Sequence, residues 1–177
     1  MIFEKTKING VTLIKPEMFQ DKRGIFRRHF CQDEFLKNNI DSNVLQSNIS
    51  ENFHKYTLRG FHYQTGEFAE GKTLSCLKGK IFDIVVDLRK DSETYKEWIS
   101  FEISNKNKVS VHIPRGCANA FLTLEEDCII HYYCSNKYSP QHEKGLRYND
   151  PLFGFTWPVE PNIISEKDLN HEDFIDN

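Results

Sequence analysis

An all-β domain, a sandwich or barrel of many short strands, is the fold class this sequence predicts. Three observations carry it: short apolar segments recur between turn residues, two of them alternate with a period of two, and helical periodicity is confined to short stretches. In chain order, strands are expected at roughly 10–15, 58–63, 73–78, 81–88, 98–103, 109–113, 120–124 and 128–134. Turn-like pieces such as Lys78-Gly79-Lys80 and Pro114-Arg115-Gly116 separate them. The run from Ile81 to Leu88 places Phe82, Ile84, Val86 and Leu88 on one face and Asp83 and Asp87 on the other. Val109, Val111 and Ile113 alternate with Ser110 and His112 in the same way. Helix is expected only from Asp33 to Asn38 and in the last dozen residues, so the helices are short and peripheral.

The 177 residues fit one domain spanning 1–177, long enough to bury about 70% of the surface of the unfolded chain. A net charge of -3 leaves no basic footprint, which argues against nucleic acid as a partner. No apolar run approaches the roughly 20 residues that span a bilayer, and the start Met-Ile-Phe-Glu-Lys lacks the apolar stretch of a signal peptide. A cytosolic chain without membrane contact is expected. Cys31, Cys76, Cys117, Cys128 and Cys134 are odd in number, irregularly spaced and free of any C-x-x-C pair, which predicts free, buried or semi-buried thiols. No repeat or linker divides the chain.

His62, in the run Arg59-Gly60-Phe61-His62-Tyr63-Gln64, is the first candidate for chemistry, with Lys72 and Tyr132 further along. An imidazole takes a proton near neutral pH, a phenol returns one, and a fixed cation holds negative charge, which together suit proton transfer beside a carbonyl. Strand parity tests the grouping. His62 shares a face with Leu58, Gly60 and Gln64, whereas Arg59 has the opposite parity, so both line one pocket only if the strand bends or bulges; Gly60 supplies a backbone permissive for that. Tyr132 shares a face with Ile130 and Cys134, opposite His131 and Tyr133, and pattern alone leaves open which face looks inward. Asp83 reads either as a second partner for His62 or as a structural acid.

A longer set of motifs runs in order through nearly the whole chain: Arg23-Gly24-Ile25-Phe26, Gln46-Ser47-Asn48-Ile49-Ser50, Leu58 to Gln64, Lys72, Gly79 to Arg89, His112-Ile113-Pro114-Arg115-Gly116, Tyr132, Tyr138 with Pro140, Tyr148-Asn149-Asp150-Pro151, Trp157-Pro158 and Ser165-Glu166-Lys167-Asp168. With these, the chain resembles the dTDP-4-dehydrorhamnose 3,5-epimerase family. The resemblance implies a cupin-type, double-stranded β-helix (jelly-roll) barrel, a homodimer with exchange of N-terminal strands, and action on 4-keto nucleotide sugars with no metal and no cofactor. It assigns His62 as base, Asp168 as the carboxylate that orients it, Tyr132 as acid on the opposite ring face, and Lys72 and Arg59 as cations at the keto oxygen and phosphates. Arg23, Phe26, Gln46, Asn48, Asn119 and Tyr138 follow as substrate contacts, together with Asp83.

Departures from the family pattern bear on the substrate. Where the family has a glutamate for the thymine ring, this chain has Arg28, which cannot accept a hydrogen bond and suits the paired acceptors of guanine. Asn119 and Ala120 replace a histidine and a glycine, and Glu70 stands where glutamine is frequent. These features raise the expectation of a GDP-linked 4-keto heptose in place of a dTDP-linked 4-keto-6-deoxyhexose, for surface polysaccharides, with inversion at carbon 3 alone or at carbons 3 and 5. The alternatives are a nucleotide-sugar 3,4-ketoisomerase and a non-catalytic sugar-binding barrel. Metal binding, common in cupins through closely spaced histidines, lacks an H-x-H pair here.

Overall fold

The computed structural model describes residues 1–176. Its strands are β1 (Ile2–Lys5), β2 (Thr12–Lys15), β3 (Met18–Asp21), β4 (Gly24–Arg27), β5 (Gln46–Asn52), β6 (Thr57–Gln64), β7 (Lys72–Lys78), β8 (Lys80–Asp87), β9 (Trp98–Ser104), β10 (Ser110–Ile113), β11 (Cys117–Thr123), β12 (Cys128–Cys134), β13 (Glu143–Gly145) and β14 (Ile163–Ile164). The helices are α1 (Gln32–Lys37) and α2 (Glu166–Leu169). One six-stranded sheet runs β1-β2-β10-β7-β12-β5, and the other main sheet runs β13-β6-β11-β8-β9 with β14 beside β6. Among the described residues β3 and β4 pair only with each other. Among the described residues no helix is long and apolar enough to cross a membrane.

Between the two sheets lies an apolar interior of Leu74, Cys76, Ile81, Val85, Val111, Phe121 and Ile130 among others. The apparently polar face of β8 is the one that points into it. Ile81 and Val85 sit there with Asp83, while Ile84 and Val86 pack outward against Phe61, Ala118, Leu146 and Phe153. β8 is therefore apolar-faced on both sides, as strands covered on both faces are. The outer layer on this sheet is the segment carrying Phe153, Phe155, Trp157 and Phe174. The other sheet is covered by α1 and the N-terminal segment, with Phe35, Ile40, Ile14 and Tyr133 in contact. Fully burying one such isoleucine contributes about 2 kcal/mol.

The β7–β8 hairpin turns at Gly79, with φ +80, where a Cβ would lie 2.6 Å from Cys128 Sγ. All eight expected strands are present within a few residues, and α1 matches its expectation. The C-terminal helix is shorter than expected: α2 is four residues long. Beyond it the chain is held by tertiary contacts, among them Phe174 N–H donating to Asp150 Oδ2 (2.6 Å). Asn177, the end of that expected helix and of the expected 1–177 domain, lies outside the described residues. Pattern reading also missed β1, β3, β4, β5, β13 and β14. β5 shows why: Gln46, Asn48 and Ser50 alternate with exposed Ser47, Ile49 and Glu51, so its inward face is polar and yields no apolar stripe.

Candidate active site

At one end of the barrel two adjoining cavities of about 330 and 140 Å³ share His62, Lys72 and Tyr132. Gln46, Asn48, Gln64, Glu70, Cys134, Tyr138 and Glu143 line the larger one, and Ser50, Arg59, Asn119 and Phe121 the smaller. His62 and Tyr132 thus face common space although they come from different sheets.

The strand that carries His62 is irregular in the way parity demands. β11 pairs Asn119 with His62 but Phe121 with Arg59, a register slip that leaves one residue extra on β6. The slip falls at Gly60, whose φ is +118; a Cβ there would lie 2.6 Å from Ala120 Cα. This bulge brings Arg59 and His62, of opposite parity, to one cavity. Arg59 is steadied by donating from Nε to Asn52 Oδ1 (2.7 Å).

Behind His62 stands Asp168, delivered by α2, whose N-cap Ser165 accepts from the Asp168 N–H. His62 Nε2 lies 2.8 Å from Asp168 Oδ1, and the Gly60 N–H donates to Oδ2 (3.2 Å). Burial by itself would raise the Asp168 pKa, but the His62 hydrogen bond and charge and the Gly60 N–H outweigh it and hold the carboxyl below its ordinary range. An ionised carboxylate only accepts, so Nε2 carries the hydrogen and Nδ1 is left as the basic nitrogen. Across the cleft, burial raises the Tyr132 pKa against the opposing pull of Lys72, which keeps the phenol protonated. Lys72 Nζ sits 5.7 Å from the centre of the Tyr132 ring and 3.7 Å from Glu70 Oε1.

Asp83 lies behind the floor of the smaller cavity. Its Oδ1 accepts from Asn119 Nδ2 (2.9 Å), and its buried Oδ2 has no hydrogen-bond partner. Burial, opposed by the Asn119 amide and the Lys72 charge, pushes its pKa up to about 7. Of the two readings of Asp83, the structure favours the structural one: its partner is Asn119, and the carboxylate on His62 is Asp168.

Four expected substrate contacts are not in this cleft: Asp83 is buried behind Asn119 and lines neither cavity, and three others stand further off. Arg23 pairs with Asp21 at the tip of the β3–β4 hairpin, and Phe26 is 72% exposed on β4. Arg28 donates from Nη1 to Glu34 Oε1 (3.0 Å) at α1. For Arg23 and Phe26 the physical reason is that, among the described residues, the hairpin pairs with no other strand, so its residues stand apart from the barrel mouth. Conversely, sequence reading passed over Ser50, Tyr63, Cys134 and Glu143 as lining residues. Cys134 had a signal in sharing parity with Tyr132. Glu143 had none, and it accepts hydrogen bonds from Tyr138 Oη (2.7 Å) and Lys167 Nζ (2.5 Å). His62, Asp168 and His171 place one ligand atom each within 4.8 Å of one another, a spacing that could hold an ion, although the hydrogen bond between His62 and Asp168 already engages both of those side chains.

A cupin-type β-barrel with an imidazole and a phenol facing one polar cleft is the framework of an isomerase-class enzyme. The model of the dTDP-4-dehydrorhamnose 3,5-epimerase family matches residues 5–176, and the chain belongs to that family. A relative from Methanothermobacter thermautotrophicus, a dTDP-4-dehydrorhamnose 3,5-epimerase, is 39% identical over 99% of this chain and 95% of its own. The structure of the Bacillus anthracis enzyme of that name, with TDP and PPi bound, superposes with a TM-score of 0.94 at 31% identity, covering 98% of this chain and 99% of that one. That of the dTDP-6-deoxy-D-glucose-3,5-epimerase from Legionella pneumophila, in complex with dTDP-4-keto-L-rhamnose, gives a TM-score of 0.89 at 32% identity, covering 94% and 89%.

Proposed function

We propose that this chain inverts carbons 3 and 5 of a dTDP-linked 4-keto-6-deoxyhexose through an enolate, with His62 as base and Tyr132 as acid. The observation that carries this reading is the pair of groups facing one cleft from different sheets, the imidazole backed by an ionised carboxylate and the phenol kept protonated by its burial.

A ketone at carbon 4 acidifies the hydrogens on carbons 3 and 5 because the carbanion delocalises onto oxygen. His62 Nδ1 takes the hydrogen from one ring face while Asp168 fixes the tautomer and stabilises the imidazolium that forms. The C–H electron pair becomes the enolate, and Lys72 stabilises the charge that develops on its oxygen, an interaction stronger in the transition state than in the ground state. Tyr132 delivers a proton to the opposite face, which inverts the centre. Arg59 lines the neighbouring lobe as a cation for phosphate, and Gln46, Asn48, Asn119 and Tyr138 supply hydrogen bonds and a ring for the remainder of the substrate.

The relatives with bound TDP and bound dTDP-4-keto-L-rhamnose support thymidine as the nucleoside. The guanine reading rested on Arg28, which is exposed, outside the cleft and engaged with Glu34. The homodimer remains part of the proposal: β3 and β4 expose Met18, Phe19, Ile25 and Phe26, and β5 has a strand neighbour on one side only, with Ile49 63% exposed. Docking of one chain's hairpin on the other's β5 side would carry Arg23 and Phe26 to the partner's cleft.

Incubation of dTDP-4-keto-6-deoxyglucose with the protein in deuterated water is expected to put deuterium at carbons 3 and 5 with inversion. Migration of the keto group, or no incorporation, would overturn the epimerase reading. Tighter binding of GDP than of dTDP in a titration would overturn the nucleotide.

A further inference from the structure

A carboxyl stands in the apolar interior of the barrel. Asp83 is fully buried on β8 beside Ile81 and Val85, and its Oδ2 has no hydrogen-bond partner. An acid left half satisfied in such a place costs stability, and an apolar side chain of similar size would serve packing better. Its use lies in the contact it does make: Asn119 Nδ2 donates to Oδ1 at 2.9 Å.

Asn119 stands opposite His62 in the register of β11 with β6, and Phe121, on the same face of β11, stands opposite Asp83 in the register with β8. Asn119 lines the smaller cavity together with Arg59, His62, Lys72 and Tyr132, whereas Asp83 lines neither cavity. Asp83 can therefore act on the cleft only through its neighbour. A side-chain amide has a donor end and an acceptor end, and the two point in different directions. With Nδ2 drawn back onto Asp83, Oδ1 is turned away from it; that oxygen has no partner among the described residues and remains open to solvent. The smaller cavity thus meets an acceptor at this position. Both charge states of the carboxyl hold the amide this way round. Ionised, it only accepts; protonated, as its pKa of about 7 allows, it carries the hydrogen on the unpartnered Oδ2 and leaves Oδ1 to accept.

Resting on the reading of the cleft as a nucleotide-sugar site, we propose that Asp83 is a positioning residue that fixes Asn119 as the acceptor for a ring hydroxyl of the sugar, on carbon 2 or carbon 3. Asn119 is thereby a specificity-determining residue. A hydroxyl donates to such an acceptor, whereas a substituent of similar size with no hydrogen to give leaves it unmet. The cleft selects sugars that keep that hydroxyl over those that are deoxygenated or capped there.

The test measures binding and needs no turnover. Dissociation constants are determined by calorimetry for dTDP-glucose, which carries a hydroxyl in place of the ketone, and for its 2-deoxy-2-fluoro and 3-deoxy-3-fluoro analogues, in which fluorine has no hydrogen to donate. The proteins are the wild type, Asn119→Ala and Asp83→Asn. The wild type is expected to bind one of the fluorinated ligands about tenfold more weakly than dTDP-glucose, and both variants to shrink that penalty to within about twofold. Asn119→Ala removes the acceptor, and Asp83→Asn frees the amide to turn over, because asparagine at 83 can either accept from Asn119 or donate to it. A wild type indifferent to both fluorines, or a penalty that either folded variant keeps in full, would overturn the proposal. Side-chain NMR of the wild type reads the orientation without any change at 83: the Asn119 Nδ2 hydrogens should exchange slowly with water, and rapid exchange of both would overturn it. Failure to bind dTDP-glucose at all would remove the nucleotide-sugar reading itself, whereas binding without a fluorine penalty removes only this inference.

Discussion

His62, Arg59, Lys72, Asn119 and Tyr132 are held by ladder registers on β6, β7, β11 and β12, whereas Arg23 and Phe26 ride on a hairpin that exposes nearly every residue it has. The barrel residues also have partners that limit them: Asp168 behind His62, Asn52 on Arg59, Asp83 on Asn119. In the hairpin, Arg23 has only its neighbour Asp21. One chain therefore presets the groups proposed for chemistry, and leaves Arg23 and Phe26, proposed as substrate contacts, to be placed by whatever the hairpin docks on. Variants of the barrel set should then act on turnover, and variants of the hairpin set on binding and assembly.

The largest effect is expected from His62→Asn, which keeps the shape and removes the base: kcat should fall by roughly a thousandfold with substrate affinity little changed, read by NMR of the sugar product. A variant retaining a tenth of wild-type turnover would end the assignment. Tyr132→Phe comes next, with inversion down by about a hundredfold while hydrogen exchange continues, because the base still makes the enolate. Loss of exchange and inversion in equal measure would show that the phenol is needed earlier in the reaction.

Phe26→Ala should raise KM by about tenfold with kcat within about twofold, and weaken the proposed dimer in sedimentation velocity. An unchanged KM would mean that the hairpin does not reach a cleft at all. The smallest effect lies away from both regions. Burial would raise the Asp87 pKa, but Arg89, Ser92 and Thr94 hydrogen bonds overcome this and bring it down to about 2. A depressed carboxyl contributes stability that is complete above its ordinary value near 3.8 and is lost as pH falls through about 2. Asp87→Asn should cost about 2 kcal/mol near pH 7, with the difference from wild type in thermal melts shrinking as pH drops from about 4 toward 2. A difference that stays constant over that window would place the cost in packing.

Much of the cleft was legible because strand parity is a strict geometric rule. The opposite parities of Arg59 and His62 demanded a bulge, Gly60 offered the place, and the register slip against β11 lies there. Tyr132 was ambiguous, since Ile130 and Tyr133 are both buried, one in the barrel interior and one under α1. β8 invited the wrong inside: its apolar stripe of Phe82, Ile84 and Val86 packs on the outer layer, and Asp83 points into the barrel. Arg28, expected at the nucleotide base, has Glu34 beside it, a partner that the sequence reading did not name.

By itself the sequence determined eight of the strands, the turn at Gly79 and the permissive backbone of Gly60, and the ordered motifs that bring His62 and Asp168 into one family pattern, because alternation, backbone freedom and residue chemistry are local properties. Only the tertiary structure decided that both faces of β8 are buried, that Glu143 reaches Lys167, and that His171 sits on Gly145. Those relations join segments far apart in the chain, and which side chains meet is set by how the sheets and the C-terminal segment pack over one another, a property no single stretch of sequence contains.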